Sequence, residues 1–447
     1  MNPRAPLADD RAAALLRRMT EHPDAPRWNH AAGDRLTADD LAAVRRFADA
    51  LAEGRCPRAP GEVPDVVLAR LAGLRVAEPL DVSDWARVPT TSREDLVLRP
   101  ERWIPADADL TRLICYRTAG TTGHATLVPH HPRAAACYQP LVRYALSKHG
   151  VAFSPTPDAV ACVNVGAQAR TVTYPCTLAA WDGAGFAKIN LSAAEWPRDG
   201  AAARWLADMA PPLLTGDPIS FAELHRQRIP VRPAAMLTTA VGLAENVRRR
   251  LSEAFGCPVV DWYSLTETGP VGYRCPEGPG FHVLPHDLHV EALRADGTIA
   301  DPGERGEITV SGGRNPYWPL VRYRTGDWGR LDHTPCGCGD PMPRILDLEG
   351  RAPVLFRAEG GTLVNPVDLA RTLREHPLVQ HELCQHPDRS LVLTVRVLDG
   401  ARLDEDRLRA ELAALLGPLP LALVEDPTLG DRGGKVLPWK GLALLEE

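Results

Sequence analysis

Lysine is scarce in this chain. Only four of its 51 basic residues are lysine, at Lys148, Lys188, Lys435 and Lys440. Arginine serves elsewhere, so each lysine marks a place where a compact point charge has been kept. Positive charge is not in excess either: the net charge is -6 and the pI near 6.2. That balance gives no electrostatic footprint for nucleic acid or an anionic membrane, and neither is expected as a partner. No stretch of about 18 apolar residues occurs, which excludes a membrane-spanning helix. The first residues, MNPRAPLADDRAAALLRR, lack the apolar centre of a secretory leader, so a cytoplasmic location is the default expectation. The ten cysteines are scattered rather than clustered in a short chain. This argues against a disulfide framework and for reduced thiols or metal ligands. No period of 20 to 50 residues repeats and no segment is of low complexity, which excludes solenoids and propellers. No Walker spacing, Gly-x-x-x-x-Gly-Lys-Ser/Thr, is present.

What is there fits a soluble α/β protein of two or three domains. The chain has 447 residues, 45% of them hydrophobic and 24% charged. Helical spacings occupy residues 8–55, 132–149, 243–255 and 403–416. Short apolar runs at 159–165, 186–191, 235–239, 259–263 and 307–311 read as strands, and the alternation implies an α/β sheet. Ser390 to Leu398 alternates as a half-buried strand between helical segments. The last hundred residues therefore read as a small α+β domain joined near Gly350, giving domains 1–350 and 351–447.

One stretch organises the rest. Leu113 to Val128 reads LICYRTAGTTGHATLV. Its apolar start, Leu113 to Tyr116, suits a buried strand. Thr118, Gly120, Thr121, Thr122 and Gly123 follow as a small, hydroxylated loop of the kind whose N–H and O–H groups close around a polyphosphate. Three further stretches accompany it: DWYSLTETGP from Asp261, LVRYRTGDWGRL from Leu320, and Gly434-Lys435 in a glycine-rich loop.

In this order and at these separations the four stretches resemble the adenylate-forming superfamily, in particular its phenylacetate–CoA ligase-like branch. The resemblance runs from about residue 85 to 440. It implies a large N-terminal domain of packed sheets and helices with a small mobile C-terminal domain. It also implies an ATP-dependent ligase that activates an acid as acyl-AMP, releases pyrophosphate and passes the acyl group on. By resemblance the 118–123 loop holds the β- and γ-phosphates, Thr266 touches the α-phosphate, and Glu267 holds Mg²⁺. A hard cation suits carboxylate and phosphate oxygens. Tyr263 matches the aromatic that stacks on adenine, with Ala240 on the adenine side. Asp327 matches the acid that takes the ribose hydroxyls. Arg344 is expected at the ribose or phosphates. Lys435 matches the lysine that bridges the attacking oxyanion and the α-phosphate. Val165, Gly166, Gln168 and Ser264 are expected to line the acid pocket.

A metal site is argued separately. Cys275 and His282 lie in CPEGPGFH, and Cys336 and Cys338 in HTPCGCGDP. Three thiolates and one imidazole match a closed structural Zn²⁺ site. His333, His286 and His289 are the substitutes for His282. The remaining cysteines read as core.

Four departures from the family pattern matter, and the one at the hinge bears on the second half-reaction. The phosphate loop ends Gly123-His124-Ala125 instead of Gly-Lys-Pro. The adenine-side segment is Ala240-Val241-Gly242. The hinge Gly350-Arg351 continues Ala352-Pro353 instead of carrying an acid. The following motif is Gly361 to Pro366. Proline fixes φ at the pivot. The acceptor therefore stays open between CoA, an amine and a carrier protein, and the activated oxyanion between an aryl-type acid and nitrite in a diazotase. An inactive adenylate-binding paralogue is the non-enzyme alternative. A homodimer is allowed.

Overall fold

The computed structural model describes residues 3–53, 84–98, 103–104, 108–117, 127–167, 171–239, 242–285, 287–312, 314–349, 356–361, 363–364, 375–430 and 439–441, with a few single positions between them. The sequence-derived loop 118–123, Gln168, Ala240, the hinge 350–355 and Lys435 lie outside the described residues.

The early helices are α1 (Asp10–Thr20), α2 (Ala38–Ala52) and α3 (Arg93–Leu98). Thr37 and Asp40 close a capping box on α2. Ser92 and Asp95 exchange side-chain bonds with each other's backbone N–H at the start of α3.

Strands β1 (Ile114–Arg117) and β2 (Leu127–His130) pair only with each other among the described strands. The expectation of a buried first strand is corrected here. Cys115 and Tyr116 are exposed, because the hairpin lies outside the large sheet with one face uncovered. Cys115 is thus not a core cysteine. The helix expected over 132–149 is two, α4 (Pro132–Ala136) and α5 (Tyr138–Lys148). The break is set by Pro140, which has no N–H for the carbonyl of Ala136 and whose ring crowds that turn.

A twelve-stranded mixed sheet forms the body of the chain. Its parallel part comprises β3 (Val160–Gly166), β5 (Ala184–Asn190), β6 (Leu213–Gly216), β7 (Ala235–Thr238) and β8 (Val259–Leu265), with β4 (Tyr174–Leu178) antiparallel at the edge. Helices α6 (Ala201–Met209), α7 (Pro218–Arg226) and α8 (Glu245–Phe255) cover one face with α1, burying Leu15, Trp205, Phe221 and Leu251. Helices α2 and α5 cover the other, burying Phe47 and Leu141. Past β8 the sheet turns antiparallel through β9 (Gly269–Arg274), β10 (Phe281–Val283), β11 (Leu288–Leu293), β12 (Arg305–Gly312), β13 (Leu320–Asp332) and β14 (Arg344–Glu349).

The C-terminal part has its own core of Leu369, Leu383, Val395 and Leu412. There β15 (Phe356–Arg357) pairs with β16 (Leu363–Val364). Strands β17 (Leu378–Gln385), β18 (Leu391–Val397), β19 (Leu421–Glu425) and β20 (Trp439–Lys440) form a four-stranded sheet, and α9 (Glu405–Leu416) adds Leu408, Leu412 and Leu416. Among the described residues no helix is long and apolar enough to cross a membrane.

Candidate active site and metal cluster

In open sheets with parallel strands, ligands sit beyond the carboxyl ends of those strands. The carboxyl ends of β3, β6, β7 and β8 are Gly166, Gly216, Thr238 and Leu265, all at one edge. Val165 and Gly166 are buried there, and Ser264 shares a hydrogen bond with Thr239 at 2.9 Å. Beyond Leu265 the chain turns through Thr266, Glu267 and Thr268 into β9. The His130 imidazole Nε2–H donates to the Thr266 carbonyl at 2.9 Å and so ties the β1–β2 hairpin to this turn. Gly269 has φ +70°, and a Cβ there would meet the Tyr138 hydroxyl at 2.6 Å. Only glycine lets α5 approach the turn this closely.

Asp327 lies in β13, beside a bulge where the register on β14 shifts. Its loop is pinned by the Thr325 hydroxyl, which donates to Ile308 O at 2.6 Å, and by Gly326 N–H, which donates to Glu307 Oε1 at 3.1 Å. Asp327 and Glu267 are each only 7% exposed, and buried carboxylates need partners. Each partner is a phenol from the other acid's motif. Tyr263, four residues before Glu267, donates its hydroxyl to Asp327 Oδ2 at 2.9 Å. Tyr323, four residues before Asp327, lies close enough to Glu267 for that carboxylate to raise the phenol's pKa. Burial, reinforced by the adjoining carboxylates, pushes both phenols above their ordinary range, so they stay protonated donors. This reciprocal brace was invisible in the sequence, because the two motifs are 64 residues apart at the Tyr263–Asp327 bond. It also gives Tyr263 a task besides stacking. Asp261 was passed over as well: burial raises its carboxyl to about 6, and the Thr238 hydroxyl donates to it.

Arg344 is the residue misplaced by sequence reasoning. It stands opposite Asp332 in the β13–β14 register, five residues along β13 from Asp327, or roughly 16 Å at strand rise. Its guanidinium donates to Asp332 at 2.5 Å and lies 3.6 Å from Cys336 Sγ. It serves the cysteine cluster and not the ribose acid.

That cluster gathers residues from the end of β9, from β10 and from the β13–β14 loop. The ligand atoms of Cys275, His282, Cys336 and Cys338 all lie within 4.8 Å of one another. Cys275 Sγ is 3.5 Å from Cys336 Sγ, and Cys338 Sγ 3.2 Å from His282 Nε2. His282 Nδ1–H donates to Met342 O at 2.9 Å, leaving the Nε2 lone pair toward the thiols. Despite burial, Cys336 is held down to about 6 by the Cys338 N–H and neighbouring side chains. Tetrahedral Zn²⁺ with bonds of about 2.0–2.3 Å sets donors at such mutual distances, so the residues fit that ion. Tyr273 stacks on His282 at 5.6 Å and donates to Asp340, which also accepts from Tyr144 at 2.7 Å.

No family model matches the chain. It is 28% identical over 156 residues to an oxalate–CoA ligase of Arabidopsis thaliana, covering 31% of this chain and 28% of that protein. It is 26% identical over 190 residues to a probable CoA ligase of Humulus lupulus, covering 37% and 34%. The matched part thus spans about a third of each of these relatives' length. Among solved structures, a 2-hydroxyisobutyryl-CoA ligase in the postadenylation state aligns over 90% of this chain and 88% of that one, with TM-score 0.61 and 16% identity. The chain therefore has the mixed α/β fold of the adenylate-forming ligases. The matched segments are similar to parts of one CoA ligase and one probable CoA ligase.

Proposed function

We propose that the protein is an ATP-dependent, AMP-forming ligase for a small carboxylic acid. The reading extends to an aryl or aryl-like acid and to the phenylacetate–CoA ligase-like branch. The observation that carries it is the placement of two buried acids from distant motifs, Glu267 at the turn after β8 and Asp327 tied to β8 by the Tyr263 hydroxyl, beside the carboxyl edge of the parallel strands. In the reaction a carboxylate oxygen of the acid attacks the α-phosphorus of ATP. The bond to the bridging oxygen breaks and pyrophosphate leaves. An acceptor then attacks the acyl carbonyl and AMP departs.

Asp327 accepts from the ribose hydroxyls, and Tyr263 orients the carboxylate for them. Glu267 would hold Mg²⁺, which would supply positive charge beside the phosphates. Thr266 presents its hydroxyl to the α-phosphate while its carbonyl is engaged by His130. Thr118, Gly120, Thr121, Thr122 and Gly123 supply donors to the leaving phosphates, and Lys435 bridges the two anions. Cys275, His282, Cys336 and Cys338 would hold a structural Zn²⁺ as a closed site.

ATP–pyrophosphate exchange with benzoic, cinnamic, amino-aryl and short aliphatic acids tests this; no exchange with any acid sinks it. Asp327→Ala should weaken ATP binding by about 2 kcal/mol, roughly 30-fold, as the ribose loses a charged acceptor. Unchanged affinity by calorimetry would remove the assignment.

One sequence feature favours a second acceptor. Pro353 and its effect on Ala352 restrict the pivot about which the C-terminal unit would open a CoA tunnel. CoA should therefore accelerate turnover only modestly beside the best amine. A saturable CoA-dependent rate with acyl-CoA as sole product would restore the simple CoA-ligase reading.

A further inference from the structure

A polar row crosses an otherwise apolar sheet face next to the candidate active site. Tyr174 stands opposite Lys188 in the β4–β5 register, Lys188 opposite Asn164 in β5–β3, and Asn164 opposite Thr215 in β3–β6. Directly paired residues share a face. The Asn164 amide donating to Thr215 Oγ1 at 2.9 Å places these two side chains together. Two residues before them on that face, Cys162 and Leu213 belong to the apolar core under α2 and α5. The row thus ends the core just short of Gly166 and Gly216, at the strand ends that bound the cleft.

Two more phenols face this corner. Tyr138 begins α5 against Gly269, and Tyr116 rises from the hairpin. Tyr116 is near enough to both Tyr138 and Tyr174 to act on their ionisation. The hydroxyls of Tyr116, Tyr138 and Tyr174 and the Lys188 ammonium have no hydrogen-bond partner among the described residues, and those of Tyr138, Tyr174 and Lys188 are not sealed from solvent. Lys188 is half-buried, and burial lowers its pKa. Its one carboxylate neighbour, Asp217, already accepts from Ser220 N–H at 2.8 Å and Ser220 Oγ at 3.0 Å. A partly desolvated cation opposite an unused phenol donor in the strand register is an anion site without its anion. Such a charge is retained at a cost unless a ligand compensates it.

We propose that Lys188, with Asn164, Thr215 and the three tyrosines, forms the distal end of the acid pocket and binds a second anionic group of the substrate, in the simplest case the far carboxylate of a dicarboxylic acid. This rests on the adenylation reading for the near carboxylate, and it names the substrate class that reading leaves open.

Matched acids test it on the full chain. Terephthalate against benzoate, and succinate against butyrate, are titrated calorimetrically in the presence of a non-hydrolysable ATP analogue and assayed in parallel for pyrophosphate exchange. The dianion of at least one pair should bind ~10-fold or more tightly than its monoanion. Lys188→Met should erase that difference by weakening the dianion far more than the monoanion. Lys188→Gln serves as the second variant where Lys188→Met lowers the melting temperature. Equal binding within both pairs overturns the subsite, as does equal loss for both members in the variants. Discrimination without exchange keeps the subsite and removes adenylation; exchange without discrimination does the reverse. Neither binding nor exchange removes both.

Discussion

Glu267→Gln should lower kcat for pyrophosphate exchange by ~100-fold or more with the fold intact. The substitution keeps shape and removes the charge that would hold Mg²⁺ against the phosphates. An electrostatic contribution of about 3 kcal/mol to the transition state corresponds to that factor. The amide keeps the size and polarity of the acid, so the melting temperature should barely move. The Mg²⁺ concentration giving half-maximal rate should rise together with the loss of kcat. Tyr323→Phe should shift the same Mg²⁺ dependence in the same direction, by about tenfold, since it frees the acid to rotate. A Glu267→Gln variant with unaltered Mg²⁺ dependence would show that the acid is a structural partner of Tyr323 and nothing more.

Removing one ligand of the cysteine cluster should have the largest effect on stability. Cys336→Ser should lower zinc content from one equivalent to well under half and the melting temperature by roughly 6–12 °C. That range follows from about 3 kcal/mol lost at about 2–4 °C per kcal/mol for a large domain. Chelation of the wild type should reproduce the shift, and added Zn²⁺ should reverse it. The size is argued from the position of the cluster. It lies at the ends of β9, β10, β13 and β14, where three thiols and an imidazole, two of the four side chains buried, crowd within 4.8 Å. Pure protein with less than a tenth of an equivalent of any metal and an unchanged melting curve would refute the site.

Much of the scaffold was legible in the chain because it follows from local pattern. The apolar runs at 159–165 and 259–263 became β3 and β8, and the helical spacing at 243–255 became α8. Burial was harder. Leu113 to Tyr116 reads as apolar whether or not anything covers it, and here only a two-stranded hairpin does. Pro140 marked a helix break that apolar spacing alone ran through. The four cysteine-cluster side chains could be named from soft-ligand chemistry, since few other tasks gather three thiols and an imidazole near glycine turns. Arg344 could not be placed, because its address depends on the β13–β14 register and not on its distance from Asp327 along the chain. The Tyr263–Asp327 bond and the closeness of Tyr323 to Glu267 were hidden for the same reason: they are properties of a pairing between motifs. The polar row through Lys188 needed three strand registers at once.

The crossed phenol–acid pairs also constrain how this chain can be rebuilt. Each acid depends on a tyrosine encoded in the other motif, so neither segment is a self-sufficient cassette. A chimaera joined to a relative anywhere between Thr268 and Leu320 would inherit each acid from one parent and its phenol from the other. Such a hybrid keeps both braces only where the second parent also carries tyrosine at both places. Exchange of loops inside that interval, with both motifs retained, leaves the braces whole. For recombination, the natural unit is the pair of motifs and everything between them.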